Sequence, residues 1–187
     1  MPHQAGTTPE LRKEKLIVLL TSAITLFNEL GDAFGTPFAA AISSTVQSLV
    51  VIMQNVKKQK EECLELLETV QDVLYTIVNL HLQTEPPGSL PPSMLYHVGM
   101  FTETLHRIHM FIEAQQHKSG IKYFFRQTEM AILLKDCREN LRNACEAFKV
   151  KTGANTLSNI AEMQTKAESI KHLRFIPGPI LLQTGEL

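Results

Sequence analysis

Glu103-Thr-Leu-His106 matches the Glu-x-x-His unit from which helical bundles build di-iron sites. Such a site needs a second pair and two further inward glutamates, and no second pair is found. His109 follows His106 by three residues and shares its helix face, yet two histidines do not complete a metal site. The expectation is a solvated face beside Leu105 and Ile108, with no metal and no cofactor. The three cysteines, Cys63, Cys137 and Cys145, lack metal-type spacing, and each lies on or near an apolar stripe. They read as reduced core thiols of a cytosolic protein. There is no Gly-rich phosphate loop and no serine elbow, and no nucleophile stands beside a base, so no enzyme is expected.

Two other stretches suit association. From Ala33 to Val56 there is no charged residue. That length suits a membrane span, but Thr36, Ser43, Ser44, Thr45, Gln47, Ser48, Gln54 and Asn55 make a stable span a poor fit. A bundle helix with small residues (Ala39, Ala40, Ala41, Ser43, Ser44) is the plainer reading, because small residues permit close helix approach. The second stretch sets Lys118, Lys122 and Arg126 around Tyr123, Phe124 and Phe125, a combination that suits an anionic membrane surface or a protein partner. Its plainer reading is a helix corner with core aromatics and solvated cations.

These features need a scaffold. Helix periodicity is the only pattern in the 187 residues, 44% of them hydrophobic and 20% charged. The expected fold is all-α: an up-down four-helix bundle with a long second helix and an additional, brace-like C-terminal helix. The formal net charge of −1 offers no bulk attraction to nucleic acid. The N-terminus lacks a basic start followed by an apolar run, so no secretory signal is expected.

Four segments follow. Residues 1–8 read as a flexible N-terminus. Residues 9–151 hold the bundle, 152–174 the accessory helix, and 175–187 a Pro/Gly-rich tail. The first helix starts at Thr8-Pro9, carries the seam Leu16, Leu20, Ala23, Phe27 and Leu30, and stops at Gly31. The second runs from Pro37 to about Gln83 as one element. Its charge-free half gives way to a periodic half with Cys63, Leu67, Val70, Leu74 and Ile77, interrupted once at Lys60. The third spans about Ser93 to His117, with Met94, Val98, Phe101, Leu105, Ile108 and Ile112. The fourth reaches about Lys151, with Leu134, Cys137, Leu141, Ala144 and Phe148. The accessory helix, about Asn155 to Leu173, has the weaker stripe Leu157, Ile160, Met163 or Gln164, Ala167 and Ile170, and is expected outside.

Short phrases carry a resemblance: Gly35-Thr-Pro-Phe-Ala-Ala-Ala, Val56-Lys-Lys-Gln-Lys-Glu-Glu-Cys-Leu-Glu-Leu, Leu105-His-Arg-Ile-His-Met-Phe-Ile, Phe124-Phe-Arg-Gln-Thr-Glu-Met-Ala-Ile-Leu-Leu and Cys137-Arg-Glu-Asn-Leu. Over residues 10–173 the chain resembles the HeLo-like N-terminal helical domains of fungal signalling and cell-death proteins. It is similar also to the mixed lineage kinase domain-like bundle, and more distantly to the Cbl N-terminal adaptor bundle. The resemblance implies a cytoplasmic association domain, peripheral to membranes, that precedes a kinase or nucleotide-switch module. The tail from Ile176 looks like the proline linker into such a module. Gly185 is followed directly by Glu186 where such linkers carry Gly-Arg, and the sequence then ends, so the effector module is not expected here, nor are ATP binding and kinase activity of these residues. The expected partners are proteins, including further copies of this chain, and an anionic membrane surface. The rival expectation is a soluble adaptor that never touches lipid.

Overall fold

The computed structural model describes residues 8–55, 60–84, 89–116, 122–149 and 157–174. Those residues are all-helical. The helices are α1 (Pro9–Phe34), α2 (Pro37–Asn55), α3 (Glu61–Gln83), α4 (Pro92–Gln116), α5 (Lys122–Phe148) and α6 (Leu157–Arg174).

Pro9 opens α1 at its first turn, where a missing N–H costs nothing, and Glu10 faces the positive helix end. Gly31 does not stop the helix. α1 continues to Phe34 and ends on Gly35, which takes the left-handed conformation at φ 63° and donates its N–H to the Gly31 carbonyl at 2.8 Å. Gly31 lies within the helix, where a Cβ would make only an ordinary van der Waals contact, 3.5 Å from the Cβ of Ala39 on α2.

The single long second helix is two helices. α2 ends at Asn55, α3 begins at Glu61, and Lys60 between them is extended at ψ 144°. The cause is legible afterwards. Glu61 and Glu62 suit the N-terminus of a new helix. Lys60, the interruption in the apolar periodicity, is the break itself. The expected single rod becomes pieces of about 28 and 35 Å. Among the described residues of 9–151 there are five helices, the long second helix being divided in two.

α3 lies at the centre. α1 packs on α2, α3 and α6, while α4 packs on α2, α3 and α5. α5 and α6 each lean on α3 without adjoining one another. From Val70 to Val78 every α3 residue except Thr76 is buried. The one-sided seam expected here is therefore too narrow, because Gln71 and Asp72 are enclosed along with the apolar residues. Tyr75 is wholly buried and its hydroxyl donates to the Leu19 carbonyl of α1 at 2.7 Å, which satisfies an otherwise costly polar group. Burial pushes its phenol upward, against a smaller opposing effect of Ser22.

The seam residues Leu20, Phe27, Leu67, Val70, Leu74, Phe101, Leu105, Ile108, Leu141 and Phe148 are buried, whereas Leu134 is only partly so. Each fully buried side chain of this kind is worth roughly 1.5–3 kcal/mol. α6 lies against α1 and α3, with Ala167 buried and Met163 and Ile170 packed on the core.

Candidate interaction surfaces

The outer faces of α1 and α2 carry long stretches without charge. α1 carries no charged residue between Lys15 and Glu29, and α2 carries none at all. Val18 and Val51 stand 54% and 43% exposed on these faces. Around them the hydroxyls turn back on their own helices. Thr21 donates to the Ile17 carbonyl (2.8 Å), Ser22 to Val18 (3.0 Å), Thr45 to Ala41 (3.0 Å) and Ser48 to Ser44 (3.1 Å). A hydroxyl spent on the backbone four residues earlier asks less of water. The surface is therefore less polar than its composition and carries no charge to desolvate.

α1 is fastened to the centre at its other end. Arg12 forks onto Glu68 at 3.0 and 2.8 Å and also pairs with Glu61. The hydrogen bonds to Glu68 and then Glu61 raise the guanidinium further above its ordinary value. Lys60 bonds to Gln115 of α4. A shallow open groove of about 250 Å³ between α3 and α5 is bridged by Arg138 and Glu65 at 3.1 Å. Leu66, Thr69, Leu141 and Arg142 complete its wall.

The metal expectation can now be placed. His106 is exposed, His109 is half-buried, and their rings stack with centroids 6.5 Å apart. Glu103 pairs with Arg107 at 2.8 Å. Among the described residues no three histidine, cysteine or acidic side chains gather as metal ligands. All three cysteines are free. Burial pushes the Cys63 and Cys137 thiols up to about 11, and Cys145 is raised chiefly by burial and then by Asp72. Raised thiols are poor nucleophiles.

Lys118 of the basic-aromatic corner lies outside the described residues. Lys122, Tyr123, Phe124, Phe125 and Arg126 are described as backbone only, in the first turns of α5, so that stretch begins a helix instead of preceding one.

Two features escape a reading of the sequence. His81 is wholly buried on α3, where its Nδ1 meets the Ile77 carbonyl at 3.0 Å and its Nε2 has no partner. Phe38 of α2 meets its ring edge-on at 5.4 Å. Desolvation lowers its affinity for a proton, and the Ile77 carbonyl opposes that in part. The second is an exposed apolar row on α4, taken up below. A period-seven echo of large residues on a helix's polar side is the only signal that could have found it.

No family model, no curated protein and no solved structure matches this chain.

Proposed function

We propose that this chain is a non-enzymatic helical signalling domain that works by binding protein partners, of the kind the HeLo-like resemblance implies for cell-death and receptor-type pathways. The observation that carries this is the α1–α2 outer face, free of charge from Leu16 to Asn28 on α1 and throughout α2, with hydroxyls of both helices bonded to their own backbones. Such a face meets a partner helix at low desolvation cost. The test places charge on it. Thr25→Glu with Ser44→Glu should leave thermal unfolding nearly unchanged and abolish cross-linking to the partners that the unaltered protein captures. Equal capture by both would sink the reading.

A second reading adds a membrane. α1 and α2 are each long and apolar enough to cross one by length and composition, a test that the core helix of a bundle also passes. In this reading the α1–α2 pair leaves the bundle, guided by Lys118, Lys122 and Arg126 to anionic lipid. Salt-sensitive co-sedimentation with phosphatidylserine vesicles, lost in Lys122→Glu/Arg126→Glu, supports it. No sedimentation at any salt leaves the soluble adaptor.

A further inference from the structure

α4 presents an outward row that its own fold does not use. Met100 and Met110 are 45% and 51% exposed, and Tyr96 at the head of the row is 66% exposed. Between the methionines stand Glu103 and Arg107, both on the outside and paired with each other. The order is apolar, anion, cation, apolar, at steps of three, four and three. Reversed, it becomes apolar, cation, anion, apolar at the same steps. Such a row is complementary to itself when one helix is turned end for end.

Gly99, at the edge of this face beside Met100, points the same way. Glycine inside a helix is destabilising relative to alanine. A Cβ at Gly99 would meet nothing within 4 Å, so the chain's own packing supplies no reason for it. Close approach by something outside does. Leu95 beside it is also exposed, as is Ile132 on the neighbouring α5, one turn before Asp136, whose charge acts on Arg107.

We propose that this face of α4 is the contact between two copies of the chain, packed antiparallel about a two-fold axis at the level of Leu105. An isologous contact places the same patch on both copies. Glu103 then faces the partner's Arg107, and Met100 faces the partner's Met110, each twice. Tyr96 lies over the half-buried Ala114 of the partner, and Gly99 leaves room for its Met110 side chain. Tyrosine and methionine are favoured in such contacts, and the charge pairs fix orientation and register more than strength. A patch centred on one helix is smaller than the standard interface of about 800 Å² per partner, so the dimer is a micromolar one. The inference stands on α4 and not on the α1–α2 face, so either reading survives the other's failure.

Sedimentation velocity of the full chain, from low micromolar to submillimolar concentration, tests it. The unaltered protein should shift from monomer to dimer. Arg107→Glu alone or Glu103→Arg alone sets like charges face to face twice and should weaken the dimer about tenfold or more. The double swap Glu103→Arg/Arg107→Glu should restore it to within about threefold, because the exchanged row is again self-complementary. Gly99→Leu meets no intramolecular obstacle, so it should raise Tm while it weakens the dimer. A monomer at every concentration overturns the proposal. So does a dimer that both reversals leave intact, or a swap that remains monomeric with full helical content.

Discussion

α2 and α3 sit side by side in the sequence and invert each other's expected roles. α2 has no charged residue, yet seven of its 19 residues are buried and it flanks the molecule. α3 opens on Glu61 and Glu62 and adds Glu65 and Glu68, yet 14 of its 23 residues are buried and it occupies the centre. Absence of charge along a helix therefore does not mark the core here. The acidic residues of α3 crowd its first half, where Arg12 and Arg138 meet Glu61, Glu68 and Glu65, while its second half has none after Asp72. What sets α3 apart is large apolar side chains on nearly every face from Val73 to Leu82, where α2 interleaves Ser44, Thr45, Gln47 and Ser48.

The comparison breaks most easily by putting charge in both helices. Leu67→Asp on α3 should unfold the protein at room temperature, because a lone buried carboxylate costs several kcal/mol. Val51→Asp on α2 should change stability by less than about 0.5 kcal/mol. Circular-dichroism melting of the two variants reads the contrast directly, and similar melting points would mean that α3 is not central.

A smaller effect tests how α3 is held. Tyr75→Phe removes the hydroxyl and leaves the Leu19 carbonyl with its intrahelical partner, so a loss of about 1 kcal/mol is expected in urea unfolding. No loss would show that the bond to α1 contributes nothing.

The buried histidine adds a pH dependence. His81 takes a proton less readily folded than unfolded, so the unfolded chain binds it first as pH falls. Its neutral form is matched in both states above the unfolded value near 6.5, and stability drains away as pH falls below that value towards the folded one. Melting between pH 7.5 and 5.5 should show a steeper decline in the unaltered protein than in His81→Leu. Parallel declines would assign the effect to other groups.

A further small effect is expected at the Arg12 fork. Its side chains are partly exposed, so Arg12→Ala should cost less than about 1 kcal/mol, and less again in high salt.

Much of the scaffold was legible because apolar periodicity is dictated by burial. Thr8-Pro9 opens α1, and the stripes of α1, α4 and α5 predict the residues that meet in the centre. Boundaries were less so. Gly31 and Gly35 are equal candidates for a stop in the sequence, and only the fold shows that the second takes the left-handed cap. The break at Lys60 was visible as an interruption, but an interruption and a termination look alike until the acidic pair that follows is weighed. Gln71, Asp72 and His81 were illegible as buried residues, since polar side chains are enclosed only where neighbours from other helices arrive. The same holds for the α4 row, whose methionines look like core until the fold turns them outward.

The central place of α3 also sets an order of events during synthesis. α1 and α2 leave the ribosome first, with the core residues Leu20, Phe27, Ile42 and Leu49 not yet enclosed by α3 and α4. At translation rates of about 5–20 residues per second, the chain between Asn55 and Gln83 takes roughly 1.5–6 s to appear. For those seconds the nascent hairpin displays its inner, most apolar side, which makes it a natural client for a ribosome-bound chaperone.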